Sequence, residues 1–196
     1  QKYFDAHPEV DVVFGDYIVT DPHGHPVALR REIPFRKFYV ANSFLNMQSA
    51  TIFFRRKLWD SGILKINSKY RYAADKDLIL RIAEAGHLIH HIPDYFSLFG
   101  IDGTNLSTHP QMGKESEEIR IAFGAYKSQP LRKLALMGRR FERLFIGSYR
   151  SKSISYKYAL NEEPRYEDHT ATNLGGRYAL TAFTGQANSL RNTYSK

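Results

Sequence analysis

The chain contains no cysteine, which excludes a disulfide framework, a thiolate metal site and a cysteine nucleophile together. It also lacks any apolar run near the roughly twenty residues that a helix needs to cross a bilayer. No internal repeat is visible, and neither a nucleic-acid-binding motif nor a set of aromatic stacking platforms accompanies the net charge of +8, so nucleic acid is not an expected partner. No methionine stands at the start. Gln1 to His7 reads as the tail of a helix already under way, so the chain is expected to be a fragment of a longer one, and the missing leader says nothing about compartment. What remains is ordinary globular composition: 196 residues, 42% of them hydrophobic, enough for one domain with a real core and an appendage.

The positive charge is concentrated. Between Lys127 and Lys157 there are nine lysines and arginines against one acid, Glu142. Leu131, Leu134, Ala135, Gly138, Phe141, Leu144 and Phe145 recur on one side of a helix, with Arg132, Lys133, Arg139, Arg140 and Arg143 over the rest. Two readings stand open for this basic amphipathic helix: it lies in the headgroup region of an anionic membrane, or it packs on the domain with a solvated basic face. Before it, Ile119, Ala122, Phe123 and Tyr126 mark another amphipathic helix from about Glu115, with Glu115, Glu117 and Glu118 in its first turn. After Ser151 the pattern decays into Asn, Thr, Ser, Gly and charge. The organisation expected is therefore a domain over 1–126, a basic helical extension over 127–160 and a polar, partly disordered tail over 161–196.

Within the domain, Val10 to Asp21 reads as a strand, stopped by the turn chemistry of Asp21-Pro22-His23-Gly24. Asn46 to Arg56 reads as a buried strand ending in two arginines, of the kind that usually face water. Tyr72 to Arg81 opens a helix: Leu78, Ile79, Ile82 and Ala83 share a face, Asp75 and Asp77 fall in the first turn, and Gly86 stands just past the end. His87 to Pro93 is a short strand whose His87, His90 and His91 straddle both faces, a poor geometry for one metal, and they read as structural. The fold class is α/β. Asp75 is then an N-cap and Asp77 a dipole partner, or Asp75 is a catalytic base at the mouth of the helix.

Five segments in this order carry a specific resemblance: Asp11-Val12-Val13-Phe14-Gly15-Asp16, the run Gln48-Ser49-Ala50-Thr51-Ile52-Phe53-Phe54-Arg55-Arg56, the helix start Ala73-Ala74-Asp75-Lys76-Asp77-Leu78-Ile79-Leu80-Arg81, Ile92-Pro93 and a Gly-x-x-x-Ser stretch. Over about residues 4 to 126 they resemble the second half of a family 2 glycosyltransferase with the GT-A fold, a mixed sheet with flanking helices. The family's first half, with its nucleotide-binding strands and metal-binding Asp-x-Asp, has no counterpart here. The resemblance implies inverting transfer, in which an acceptor hydroxyl attacks the anomeric carbon of a nucleotide-diphospho-sugar and displaces the nucleotide. A sugar hydroxyl is a poor nucleophile, and the family's general base maps onto Asp75.

The resemblance implies further roles. Gln48 lies in the segment that lines the acceptor side of the family's cleft, where it either bonds a sugar hydroxyl or satisfies backbone groups at a strand entry. Asp16 faces the expected cleft from a strand turn, with Asp21 as a turn cap. Asp77 and Arg81 pair at i+4, bracing the helix start, with substrate contact as the other role. A divalent cation, manganese or magnesium, would be held mainly by the absent half, and His109 is placed where some members add a ligand. Arg55 and Arg56 are candidates to offset phosphate charge. The setting implied is cytoplasmic, peripheral on the inner face of a bacterial plasma membrane, with a glycan or lipid-linked acceptor in surface polysaccharide synthesis. The competing class is a non-catalytic acceptor-recognition or membrane-docking module.

Overall fold

The computed structural model describes residues 1–21, 24–100, 109–150, 152–156, 163 and 165–169. Its elements run α1 (Lys2–Ala6), β1 (Val10–Thr20), β2 (Pro26–Arg30), α2 (Lys37–Asn42), a 3₁₀ turn (Ser49–Thr51), β3 (Ile52–Phe54), α3 (Arg56–Asp60), α4 (Ala74–Glu84), β4 (Leu88–Gly100), α5 (Pro110–Ala122), α6 (Gln129–Phe145), β5 (Lys152–Tyr156) and β6 (Arg165–His169). The Gly-x-x-x-Ser stretch and most of the tail beyond 156 lie outside the described residues.

The architecture is mixed α/β, an open mixed sheet with flanking helices. β1 is its axis. β4 pairs parallel along one side of β1, while β3 and β2 pair antiparallel with the first and second halves of the other side. A strand hydrogen-bonded on both sides and covered on both faces must be apolar almost throughout, and ten of the eleven β1 residues are buried. Val12 and Phe14 pack with Leu58, Leu78, Ile79 and Ile82, so α3 and α4 cover one end of the sheet; α2 and α5 close on α4 through Val40, Ala41, Leu80 and Ile119. The β5–β6 hairpin is a separate two-stranded ribbon whose Ile154 packs on Ile18 and Leu29.

Several expectations change. Of the segment Asn46 to Arg56, expected as a buried strand, only Ile52–Phe54 is extended, and Phe53 is exposed. Gln48 diverts the chain: its carbonyl accepts from the Thr51 amide (2.9 Å) and hydroxyl (2.8 Å), which winds a 3₁₀ turn where a strand was expected. Arg55 does not face water; its guanidinium donates to the carbonyls of Phe4, His7 and Val10 and lies over the Phe4 ring, tying α1 to the sheet. Arg56 does face water, paired with Asp60. α5 begins at Pro110, not near Glu115, since the proline favours a first helical position. β4 runs past Pro93 because a bulge accommodates it: Ile92 pairs with Gly15 and Tyr95 with Asp16, leaving Pro93 and Asp94 unopposed. Gly15 permits that approach, as a Cβ there would fall 2.4 Å from Phe96 Cγ and 2.8 Å from the Asp94 carbonyl.

The three histidines of β4's start are separately partnered: His87 with Asp11 (2.8 Å), His91 with Asp16 (2.7 Å) and His90 with the Tyr3 hydroxyl (3.2 Å). Among the described residues no helix is long and apolar enough to cross a membrane.

Candidate active site

The mouth of α4 is built from three separated segments. Ala73 occupies the N-cap position and makes no side-chain capping bond, while Asp75, in the first turn, accepts from the otherwise free Lys76 amide at 2.8 Å. The segment leading into α4 is held from α5: Oε2 of Glu115 accepts from the backbone N–H groups of Arg71 (3.1 Å), Tyr72 (2.7 Å) and Ala73 (3.0 Å), the last being the N-cap amide. Burial alone would push the Glu115 carboxyl up, but those three donors outweigh it and hold its pKa below the ordinary glutamate value. Glu115→Ala is expected to destabilise the protein by about 2–3 kcal/mol, since the buried Ala73 amide and the part-buried amides of Arg71 and Tyr72 lose their acceptor. The carboxylate's own contribution is present above the ordinary glutamate pKa and is lost as pH falls through the depressed one. Denaturant titrations of both proteins at neutral and acidic pH check this; equal stability at neutral pH contradicts it.

Asp75 divides its carboxylate between the helix end and the neighbouring turn. Oδ2 accepts from the Ser49 hydroxyl (2.9 Å) and Oδ1 from the Lys76 amide (2.8 Å), and the residue remains half-buried. Ser49 belongs to the 3₁₀ turn that follows Gln48. The Gln48 side-chain oxygen accepts from the Ala50 amide (2.7 Å) and lies 3.4 Å from the Ser97 hydroxyl on β4, which leaves its amide nitrogen without a partner among the described residues. Asn46, just upstream, is buried with Oδ1 unpaired among the described residues. The turn and the helix mouth thus join a carboxylate with open lone pairs, a hydroxyl that orients it, and an amide donor.

Lys76, beside Asp75, points the opposite way into the protein. It is 2% exposed, with Nζ donating to the Ser43 carbonyl (3.2 Å) and the Ser116 hydroxyl (3.1 Å). Burial, reinforced by Arg120, lowers its pKa to about 7.

The other residues singled out from the sequence are placed as follows. Asp77 is buried and its Oδ2 accepts from Arg81 Nε (2.8 Å), while Arg81 also donates to the carbonyls of Ile63 (3.0 Å) and Lys65 (2.9 Å). The pair clamps the 63–65 loop onto α4, the bracing role of the two expected. Asp16 is not at a turn: it sits inside β1, buried, with Oδ1 taken by His91 and by the Glu32 amide (2.9 Å). His109 is the N-cap of α5. Its Nδ1 accepts from the Gln111 amide (3.1 Å), its ring stacks on Tyr72 at 4.2 Å, and Nε2 lies 3.4 Å from the Tyr72 hydroxyl. With Nδ1 accepting, Nε2 carries the proton of a neutral imidazole, so neither nitrogen offers a lone pair to a metal in this arrangement. Among the described residues no group of three or more His, Asp or Glu side chains could hold a metal ion.

Of the residues expected from the sequence, Gln48 and Asp75 come to one place, with His109 stacked on Tyr72 beside them, while Asp16 and Asp77 are buried and Arg81 is half-buried against Asp77. It misses Glu115 as the support of the helix mouth and Asn46 beside the turn. No protein-family model matches the chain, and a search of the curated proteins returns no match.

Proposed function

We propose that the chain is the acceptor-side half of a GT-A glycosyltransferase of family 2, transferring a sugar with inversion from a nucleotide-diphospho-sugar to a hydroxyl of a glycan or lipid-linked acceptor. The observation that supports this best is the 2.9 Å bond between Ser49 and Asp75, because it joins two segments, 26 residues apart, that separately carry the resemblance. Asp75 is the general base. It takes the proton as the acceptor oxygen attacks the anomeric carbon and the nucleotide leaves. Ser49 and the Lys76 amide each occupy one lone pair of the carboxylate and fix its direction, while Gln48 offers an amide N–H to an acceptor hydroxyl. In this reading a manganese or magnesium ion that offsets the leaving diphosphate belongs to the nucleotide-binding half. The setting is the inner face of a bacterial plasma membrane, in surface polysaccharide synthesis.

The second reading is a non-catalytic docking or acceptor-recognition module, favoured by the outward apolar face of α6. Nucleotide binding separates the two. With its natural N-terminus, a transferase is stabilised against unfolding by a nucleoside diphosphate with manganese, and a docking module is not.

A further inference from the structure

Helix α6 is inverted relative to an ordinary surface helix. At 100° per residue, Arg132, Ala135, Arg139 and Arg143 share one side, and that side is buried against the domain. The cations are matched there: Arg132 with both Glu117 oxygens (2.7 and 2.8 Å), Arg139 with Glu32 (2.6 Å) and over the Phe44 ring, Arg143 with the Arg31 carbonyl (3.2 Å) and over Tyr149. The opposite side is apolar and in water. Leu134 is 63% exposed, Phe141 54%, Leu144 55% and Phe145 83%, with Met137 between them. The sequence left open a membrane contact by this helix or packing on the domain with a solvated basic face; three of the arginines are buried against the domain, so the basic face is not the solvated one.

A contiguous apolar stripe of this kind marks a surface that something covers. Charge decides what. Lys133 and Arg140 flank the stripe on one edge, exposed, and neither has an ion-pair partner among the described residues. The helix's one acid, Glu142, is held by two nitrogens of Arg36 at 2.6–2.9 Å. A second copy of α6 would bring the same cations and no free acid. Residues 171–196 bring Arg177, Arg191 and Lys196 and no acid. An anionic lipid surface complements both features, since headgroup phosphates meet the cations and the acyl boundary takes the apolar side chains.

We propose that α6 lies in the plane of an anionic membrane surface, with Met137, Phe141, Leu144 and Phe145 below the headgroups and Lys133 and Arg140 at phosphate level. The proposal does not rest on the transferase reading. It is tested by flotation of the 196-residue chain with vesicles of phosphatidylglycerol in phosphatidylcholine, against pure phosphatidylcholine. The chain floats with the anionic vesicles, and added salt weakens binding. Phe141→Ser/Leu144→Ser/Phe145→Ser weakens it at least about tenfold at an unchanged unfolding temperature, because these side chains are exposed. Lys133→Gln/Arg140→Gln removes most of the salt dependence and of the preference for the anionic lipid. Failure to bind anionic vesicles, or equal binding by the triple variant, overturns the proposal. So does a concentration-dependent dimer that the triple variant abolishes without any vesicle binding by the parent chain.

Discussion

In the transferase proposed above, Asp75→Asn is expected to lower sugar transfer about 10²–10⁴-fold, the usual contribution of a positioned general base. The replacement is nearly isosteric, and the asparagine side-chain oxygen still accepts one of the two bonds that Asp75 receives from Ser49 and Lys76, so the helix mouth should hold. The Glu115 bonds that hold the segment leading into α4 are untouched. The loss should fall on kcat, with donor affinity nearly unchanged, because proton acceptance is needed only as the acceptor attacks. Ser49→Ala removes one orienting bond and should cost about tenfold by the same measure, in line with a hydrogen bond to a charged group. Steady-state rates at saturating donor, with donor binding measured separately, check both. Undiminished turnover by Asp75→Asn removes Asp75 from the mechanism.

Lys76→Met is expected to stabilise the fold most at and below neutral pH. The folded-state pKa of Lys76 is about 7 against 10.5 for an ordinary lysine. From pH 7 to 10.5 the unfolded chain holds a proton that the folded chain has released, so the lysine's penalty is full below about pH 7 and fades as pH rises towards 10.5. The shift corresponds to about 5 kcal/mol as an upper bound. The variant also forfeits the bonds to Ser43 and Ser116, so the gain at pH 6 should be nearer ~2–4 kcal/mol, shrinking in mildly alkaline solution. Urea titrations of both proteins at pH 6 and pH 9.5 measure the difference. Parallel pH dependences would mean that Lys76 is protonated in the folded state throughout.

The parts of the fold legible in the sequence are those set by periodicity. The Val10 to Asp21 pattern folds as β1, the Leu78, Ile79 and Ile82 face of α4 packs on it, and the apolar stripe of α6 is where the spacing puts it. What periodicity cannot say is which face turns inward. The α6 stripe would ordinarily be buried, but Glu32, on the chain just after β2, and Glu117, on α5, neutralise Arg139 and Arg132 from the domain side, and the helix settles with its cations inside. Such partners lie far away in sequence and leave no local signal. Glu115 escapes notice for the same reason: its three acceptor bonds reach back 42 to 44 residues. Asp75 stands out as a first-turn carboxylate, yet that position suggested an N-cap; Ala73 takes the N-cap place, and only the fold brings the distant Ser49 to the second oxygen of Asp75.

The most direct test of sugar transfer is nucleotide release from a panel of nucleotide-diphospho-sugars with manganese or magnesium, by this chain together with the nucleotide-binding half that the proposal calls for. Release with one donor, stimulated by a glycan or lipid-linked acceptor and absent in Asp75→Asn, is the predicted result. A folded protein that releases nucleotide from no donor would contradict the transferase reading.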